Sequence, residues 1–441
     1  MASASWLDID EDSPFSIDNI PFGVISHNSR LADRQVAVAV GEYAILLQEL
    51  VNGGALSQCP DIQPHLDCLR QPSLNDFASL GRPLHQTFRL YLRDLLRADT
   101  PYPGQLRDNR QLRNRAFFFR SDCANHVPMI IGDYTDFYAG VNHARNVGTL
   151  FRGAQNALQP NYMHLPVGYH GRASSIRPSG CPIRRPAGQI LPAPEAAAPV
   201  HSASRKLDME LEMAAFLCKG NGPDGRPISI AEASSHIFGY VLMNDWSARD
   251  IQAWEYVPLG PFNSKNFATT ISPWIVLADA LEPHRCQSTT QRPVESALLP
   301  YLDEKSAPTF HDIPLSVRLE YPIHSEAGSN DKATTTITDT NASHLMYSFP
   351  QMLVHHTVGG CEMRVGDLLG SGTISGDTAG SLGSLLEMTD NGKTPLKLDD
   401  SVGSQRTFLE DGDEVVMTGK AGSKGAYIGF GDCRGIIVPA Y

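Results

Sequence analysis

Residues 207–213 read Leu207-Asp208-Met209-Glu210-Leu211-Glu212-Met213 and alternate apolar with acidic side chains. A period of two predicts a β-strand, with leucine and methionine on one face and the three acids on the other. Neighbouring acids on one face of a strand lie about 6–7 Å apart, a span that one cation with oxygen ligands could bridge. A plain edge strand with a solvated acidic face is the alternative.

A second candidate ligand stands at the end of the next apolar stretch. Residues 239–244 are typical of a buried strand, and Asp245 follows immediately before a helical pattern. An acid at this position is either a helix N-cap or a metal ligand. On the predicted helix, Arg249, Gln252 and Tyr256 share one face that could hold an oxyanion or a carboxylate. A surface helix whose arginine pairs with a nearby acid is the alternative.

A histidine could share a pocket with a further acid. If a helix begins near Asp136, then His143 lies on the same face two turns later. A metal-binding acid and a base that titrates near neutral pH would then be neighbours. The chain has 15 histidines, so a structural role for His143 is the alternative.

A glycine-rich stretch at residues 366–376 predicts a strand that passes into a loop. Glycine allows close approach of the backbone, so the loop amides and the Thr373 hydroxyl could bind a small anion. A tight hairpin explains the same glycines.

Composition excludes several classes of protein. The 441 residues suffice for two to four domains, and 36 Lys and Arg against 48 Asp and Glu give a net charge of −12. No basic run is present, so nucleic acid is not an expected partner. Residues 8–12 are acidic where a signal peptide would be basic, and no apolar stretch is long enough to span a membrane. Eight cysteines without a C-x-x-C pair predict reduced thiols, and we expect a cytoplasmic protein.

The chain divides into two predicted parts. Residues 1–128 combine short alternating stretches with one helical pattern at residues 84–96, which predicts a small β-rich accessory domain. Residues 129–441 carry dense turn signals and apolar alternation, which predict a larger β-rich barrel or roll. The fold class is therefore mainly β (α+β), and the candidate site residues lie in the second part.

Five motifs together resemble the fumarylacetoacetate hydrolase family, in order from about residue 120 to the C-terminus. They are Asp136-Phe137-Tyr138 with His143, Leu165-Pro166-Val167-Gly168-Tyr169-His170-Gly171-Arg172, Asp208-Met209-Glu210-Leu211-Glu212, Asn244-Asp245-Trp246-Ser247-Ala248-Arg249-Asp250 and Gly370-Ser371-Gly372-Thr373-Ile374-Ser375-Gly376. The N-terminal part is similar, more loosely, to the family's SH3-like β-barrel domain. The resemblance implies a metal-dependent catalytic β-barrel or β-roll in the second part.

The resemblance also implies roles for individual residues. Ca²⁺ or Mg²⁺ would be held by Asp136, Glu210, Glu212 and Asp245, with Lys265 and Thr269 near the metal. The catalytic groups would be His143 as base, Glu387 behind it, and Arg249, Gln252 and Lys265 around the developing oxyanion. Substrate would be held by Tyr138, Arg152, Tyr169, Gln252, Tyr256 and Thr373.

The chemistry of this family fits these residue types. Cleaving a carbon–carbon bond of a β-diketo acid with water concentrates negative charge, which a divalent cation and fixed donors stabilise. The resemblance implies hydrolysis of 4-fumarylacetoacetate to fumarate and acetoacetate, the last step of tyrosine and phenylalanine catabolism, by a homodimer. Alternatives are a related decarboxylase or isomerase of small keto acids, or a non-catalytic calcium-binding protein.

Overall fold

Two large β-sheets dominate the computed structural model, which describes residues 4–293, 296–323, 332–400 and 403–441. The fold is a mixture of α and β that consists mostly of sheets. Its strands, in chain order, are β1 Phe22–His27, β2 Gln35–Val40, β3 Tyr43–Leu46, β4 Phe117–Phe119, β5 Cys123–His126, β6 Tyr134–Phe137, β7 Gly168–His170, β8 Ile176–Pro178, β9 Ile183–Arg184, β10 Ala187–Ile190, β11 Val200–Ala203, β12 Leu207–Asp208, β13 Leu211–Leu217, β14 Ile237–Asp245, β15 Ser247–Ala248, β16 Thr269–Ile271, β17 Trp274–Leu277, β18 Arg285–Cys286, β19 Phe310–His311, β20 Pro314–Pro322, β21 Lys332–Asn341, β22 Leu368–Gly370, β23 Leu396–Lys397, β24 Gln405–Arg406, β25 Glu414–Ala421, β26 Ile428–Gly429 and β27 Cys433–Val438.

Short helices connect the strands. The α-helices are α1 Leu47–Asn52, α2 Asn75–Ala78, α3 Arg82–Leu96, α4 Arg110–Ala116, α5 Val141–Arg152, α6 Ile230–Ala233, α7 Arg249–Glu255, α8 Asn263–Asn266, α9 Phe349–Thr357 and α10 Leu385–Met388. The 3-10 helices are Pro60–Arg70, Arg120–Asp122, Ala154–Asn156, Ala173–Ser175, Ser234–His236, Glu282–His284, Ala342–His344 and Ala379–Ser381. Helix α3 confirms the helix predicted at residues 84–96, and its apolar face is buried. Across the described ranges, no helix combines the length and apolar character that crossing a bilayer requires.

The larger sheet has 13 strands in the order β4-β3-β2-β1-β17-β14-β13-β22-β6-β7, with β5 on β1, β16 on β14 and β8 on β16. The second sheet has six strands, in the order β21-β20-β25-β27-β9 with β26 on β25. Four two-stranded ribbons complete the strand pairing: β10-β11, β12-β15, β18-β19 and β23-β24.

The predicted barrels are wrong for the described part of the chain, because no sheet there closes on itself. Strand β4 pairs only with β3, and β5 pairs with β1, so the N-terminal strands leave an open edge. An SH3-like barrel is therefore not confirmed, and helices α1 to α4 make this part less β-rich than its sequence suggested. Strand β1 also pairs with β17, which joins the N-terminal strands to the larger sheet. The division after residue 128 stays a prediction.

Strand β13 lies in the middle of the larger sheet and is buried on both faces. Met213, Ala215 and Leu217 face one hydrophobic core, and Ala214 and Phe216 face another. Glu212, near the start of this strand, is therefore shielded from solvent. All eight cysteines are free thiols, as predicted.

The pairing of four strands brings the acids of the site together. Asp136 on β6 lies opposite Gly370 on β22, and Glu212 near the start of β13 lies opposite Met243 on β14, two residues before Asp245. The helix predicted to begin near Asp136 is wrong, because those residues form β6 and α5 begins only at Val141. Tyrosine, threonine and phenylalanine in β6 favour a strand, and the pairing with β22 and β7 fixes it.

Candidate active site

A cavity of about 340 Å³ opens beside the ends of these strands, and most of the predicted site residues line it. Its polar lining consists of Asp136, Tyr138, His143, Arg152, Tyr169, Glu210, Glu212, Arg249, Gln252, Tyr256, Lys265 and Thr373, and its apolar wall includes Phe137, Val147, Phe151, Val167, Ala253, Leu259 and Pro261. Three predicted residues do not line the cavity and lie behind it. Glu387 contacts His143, Asp245 contacts Lys265, and Thr269 pairs with Asp245 across two strands.

Asp136, Glu212 and Asp245 form a compact acidic trio. One carboxylate oxygen from each lies within 4.8 Å of the others, and all three residues are almost completely buried. Oδ1 of Asp136 and Oδ1 of Asp245 are buried without a hydrogen-bond partner among the residues that the structure describes. Buried oxygens with free lone pairs are the ligands that Ca²⁺ and Mg²⁺ prefer. The trio therefore has the donor set of a site for a hard divalent cation.

Gly370 leaves room for this trio. A Cβ at this position would come within 2.5 Å of Asp136 Oδ1 and 3.3 Å of Glu212 Oε2. A side chain would thus occupy the space that these oxygens face. Gly370 is the last residue of β22, at the point where the strand predicted in this stretch passes into the loop, and it borders the trio.

The carboxyl groups of the trio all have raised pKa values. Burial, followed by the charge of Asp245, raises the pKa of Asp136 well above its usual range. Burial and then Asp136 do the same for the pKa of Glu212. Burial also raises the pKa of Asp245, although Lys265 opposes the shift. A bound divalent cation would reverse these shifts, because it favours the ionised forms and displaces protons.

Two other acids of the alternating stretch contact cations. Arg249 donates from Nε to Asp208 Oδ2 at 2.8 Å and from Nη2 to Glu210 Oε1 at 2.7 Å. Lys265 donates to both Glu210 and Asp245. Burial alone raises the pKa of Glu210, but Arg249 and Lys265 outweigh burial and hold that pKa well below its usual range.

These contacts decide two of the alternatives. The solvated acidic face is wrong, because Asp208, Glu210 and Glu212 are all buried. The alternative for the helix is correct in that Arg249 pairs with nearby acids and wrong in that this arginine is buried and not on the surface. Asp245 is not the N-cap of α7, because Ala248 occupies that position.

His143 and Glu387 form a buried pair although 244 positions separate them in sequence. His143 Nδ1 lies 2.6 Å from Glu387 Oε2, and His143 Nε2 lies 3.5 Å from Glu210 Oε1. Because the Glu387 carboxylate can only accept a hydrogen bond from Nδ1, that nitrogen carries the proton. In the neutral ring Nε2 is therefore unprotonated and can accept a proton. Burial by itself lowers the pKa of His143, but Glu387 and Glu210 outweigh it and raise the pKa to about 9.

Three further side chains hold the Glu387 carboxylate. Asn146 Nδ2 donates to Oε1 at 2.8 Å, and the hydroxyls of Ser375 and Ser384 donate to Oε2 at 2.9 and 2.8 Å. Burial raises the pKa of Glu387, but His143 and these donors outweigh burial and lower the pKa. The carboxylate is therefore kept ionised and fixed in orientation.

The remaining predicted residues also line the cavity. Arg249 Nη1 donates to Gln252 Oε1 at 3.2 Å, and Tyr256 follows the last turn of α7, so the predicted helix face does line the cavity. The Tyr138 ring packs edge-on against His143 at 5.4 Å between centroids. The Tyr169 hydroxyl lies 3.1 Å from Asp136 Oδ2 and 2.9 Å from Asp245 Oδ2.

The glycine-rich loop runs along β13 beside Glu212 and does not form a hairpin. The amides of Ser371 and Ile374 donate to Met213 and Leu211, so the loop follows β13. Gly372 N donates to Glu212 Oε2 at 3.0 Å. One of the loop amides predicted to bind a small anion therefore binds a carboxylate of the protein itself. Thr373 lines the cavity as predicted.

Sequence reasoning missed Asn146, Ser375, Ser384 and Gly370. Only Ser384 carried a local signal, because serine three positions before glutamate is typical of a helix N-terminus, and Ser384 does precede α10. Asn146 lies one turn after His143 on α5, but no local pattern indicated that Asn146 would also contact Glu387.

Comparisons with known proteins identify the family of the chain. The family model described as fumarylacetoacetate hydrolase C-terminal matches residues 134–438, and that described as fumarylacetoacetase N-terminal matches residues 18–128. The chain is 60% identical to the fumarylacetoacetase of Aspergillus fumigatus over 439 residues, which is 99% of both chains. It is 46% identical to the human fumarylacetoacetase, again over 99% of both chains.

The chain belongs to the fumarylacetoacetate hydrolase family. It is therefore a hydrolase. Among solved structures, a fumarylacetoacetate hydrolase from the psychrophilic Exiguobacterium antarcticum shares the fold, with a TM-score of 0.50 and 14% identity over 96% of this chain and 100% of that chain.

Proposed function

We propose that the chain is a fumarylacetoacetase that hydrolyses 4-fumarylacetoacetate to fumarate and acetoacetate, the last step of tyrosine and phenylalanine catabolism. Relatives that carry this name are 46–60% identical over nearly the whole chain. The observation that carries the mechanism is the buried pair of His143 and Glu387, with Nε2 of the imidazole directed toward the cavity and the acids. A base in this position suits a reaction that begins with the activation of water.

The acidic trio would hold Mg²⁺ or Ca²⁺. Asp136, Glu212 and Asp245 offer the buried oxygens. Glu210, which contacts Lys265 together with Asp245, stays the fourth ligand predicted on the resemblance to the family. When bound, the ion supplies positive charge that stabilises negative charge on the diketone oxygens. Lys265 and Thr269 stay predicted neighbours of the ion.

In the proposed reaction, His143 takes a proton from water at Nε2, and the water oxygen adds to the carbonyl carbon of the fumaryl group. The carbon–carbon bond then breaks, and its electron pair stays with the acetoacetate fragment. The proton on His143 passes to that carbon. Glu387 keeps Nδ1 protonated throughout and stabilises the imidazolium that forms after the first transfer.

Negative charge develops on the oxygen of the carbonyl group that water attacks. Arg249, Gln252 and Lys265, all of which line the cavity, would stabilise this charge. Arg249 is fixed for this task, because two carboxylates hold its guanidinium while one of its nitrogens contacts Gln252. Residues proposed to hold the diketo acid are Tyr138, Arg152, Tyr169, Gln252, Tyr256 and Thr373. The apolar wall of Val147, Phe151 and Leu259 would cover the carbon chain between its polar ends.

The direct test is the ultraviolet absorption of the diketone in the presence of purified protein and Mg²⁺ or Ca²⁺. We expect the absorption to disappear, fumarate and acetoacetate to form in equal amounts, and chelator to stop the reaction. Carbon dioxide release or simple isomerisation would indicate the related decarboxylase or isomerase. Metal binding without turnover of any keto acid would indicate a calcium-binding protein, and either result would contradict the proposal.

A homodimer and a cytoplasmic location are also proposed on the resemblance to the family. Sedimentation equilibrium of the purified chain tests the first proposal, and imaging of a tagged full-length chain in cells tests the second.

A further inference from the structure

Asp208 has no role in the proposed reaction, although it belongs to the alternating stretch that also carries Glu210 and Glu212. Its carboxylate is completely buried and lies behind the cavity. A buried carboxylate needs partners for both oxygens, because an unsatisfied charge in the interior is costly. The identity of those partners indicates what Asp208 does.

Four donors saturate the two oxygens of Asp208. Oδ1 accepts from the amides of Met209 and Leu385, both at 2.8 Å. Oδ2 accepts from the amide of Leu386 at 2.9 Å and from Arg249 Nε at 2.8 Å. Each oxygen therefore uses both lone pairs, which only an ionised carboxylate can do.

These donors come from two separate parts of the site. Leu385 and Leu386 are the two residues directly before Glu387 in α10, so Asp208 holds the backbone that carries the partner of His143. Arg249 begins α7, and its other nitrogens contact Glu210 and Gln252. One carboxylate thus connects the proposed base pair to the proposed oxyanion donor.

We infer that Asp208 is a positioning residue that holds Arg249 and Glu387 in one fixed arrangement. The inference rests on the proposed function, since it concerns the geometry of that reaction. A proton acceptor and an oxyanion donor must act on two atoms of one substrate, so their relative placement controls the rate. Displacement of a reacting group by about 1 Å can reduce turnover about 100-fold.

A second buried aspartate provides a matched control. Asp413 is also completely buried, and it accepts from Arg406 Nε and Nη2 at 2.9 Å and from the amide of Glu410 at 2.8 Å. It lies in the turn before β25 and does not line the cavity. Each aspartate therefore accepts from one arginine and from backbone amides, three at Asp208 and one at Asp413, but of the two only Asp208 contacts the site.

The experiment compares Asp208→Asn with Asp413→Asn in the full-length protein loaded with Mg²⁺. The amide nitrogen of asparagine cannot accept a hydrogen bond. In either orientation of the side chain, it therefore faces two of the four donors around position 208, and those two hydrogen bonds are lost. We expect Asp208→Asn to lower kcat about 10- to 100-fold while KM and Mg²⁺ affinity stay near wild type. Asp413→Asn should lower the melting temperature and leave kcat unchanged.

Two further measurements separate positioning from stability. In a Glu387→Gln background, Asp208→Asn should cost less in kcat than in the wild type, because the orientation of Glu387 is already impaired. Asp208→Glu keeps the charge but moves the carboxylate by one methylene, so its kcat should stay low; this variant decides the matter if Asp208→Asn does not fold.

Two results would overturn the inference: wild-type kcat in Asp208→Glu or Asp208→Asn, or equal losses of kcat in Asp208→Asn and Asp413→Asn. A wild-type protein that does not hydrolyse the diketone would instead contradict the proposed function itself.

Discussion

Two groups of buried carboxylates lie side by side in this site, and their pKa values move in opposite directions. Glu210 and Glu387 are held below their usual range by Arg249, Lys265 and His143. Asp136 and Glu212 are held well above it, because burial and neighbouring carboxylates act on them together. The degree of burial is similar in both groups, so the partners of each carboxylate determine its ionisation.

The difference assigns a task to each group. Glu210 and Glu387, whose cationic partners outweigh burial, are already ionised and can orient a base or an arginine. Carboxylates that face one another keep protons until a divalent cation replaces them. Six buried acids share two permanent cations and one histidine, and in the described part of the chain Asp245 is the one member of the trio that contacts a cation, Lys265.

The largest effect is expected from breaking the pair of His143 and Glu387. His143→Ala should lower kcat by roughly 10²- to 10⁴-fold, the usual contribution of a general base. Adding Glu387→Ala to that variant should cost little more, because the orienting group has lost its base. Steady-state rates of the two single variants and the double variant test this, and losses that add in log rate would mean that the two residues act independently.

The pH profile of kcat tests the same pair. Neutral imidazole accepts the proton, so activity should fall as pH drops through a His143 pKa that Glu387 helps to raise to about 9. Glu387→Gln removes that carboxylate charge and should shift the acidic limb toward lower pH. An unchanged limb would contradict the assignment of His143 as the base.

Arg249 contacts Glu210 of the ionised group and also Asp208, so a change at Arg249 tests whether this arrangement stabilises the transition state. Arg249→Lys keeps the charge but loses the planar fork that contacts Asp208, Glu210 and Gln252. We expect kcat to fall about 10²-fold, the size of the loss when one oxyanion donor is removed. A variant with normal kcat and a changed melting temperature would show that Arg249 is only a structural partner.

The trio is tested by Glu212→Gln, with Glu387→Gln as the control from the ionised group. Removing a charged ligand should weaken Mg²⁺ or Ca²⁺ binding by at least roughly 10- to 100-fold, whereas the control should bind metal nearly as the wild type does. Isothermal titration calorimetry of the metal-free proteins measures both. Equal losses in the two variants would remove the distinction between the groups.

The smallest effects concern the stability of the metal-free protein and should have opposite signs. Glu210 has a lowered pKa, so its contribution is present above pH about 4.3 and is lost in acid, and Glu210→Gln should destabilise at pH 7 by roughly 1–3 kcal/mol. Glu212 has a raised pKa, so its ionisation costs stability as pH rises, and Glu212→Gln should stabilise. Urea unfolding in chelator at pH 5 and pH 7 checks both signs.

The sequence predicted the local elements of the site better than their surroundings. Alternation at residues 207–213 and the strand that ends at Asp245 were enough to place acids together, because both patterns are local. The contacts of Lys265 with Glu210 and of the α10 amides with Asp208 were not predictable from local patterns, since they form only through tertiary packing. The predicted barrels were wrong because strand order and closure depend on pairings such as β1 with β17, which no local pattern encodes.

The most direct test of the central claim is the number of protons released when the metal-free protein binds Mg²⁺ or Ca²⁺ near neutral pH. Calorimetric titration in buffers of different ionisation enthalpy gives this number. If the trio of Asp136, Glu212 and Asp245 holds protons until the cation arrives, then binding should release protons, and Glu212→Gln should release fewer with weaker binding. Tight binding that releases no protons, or that survives unchanged in Glu212→Gln, would contradict the account.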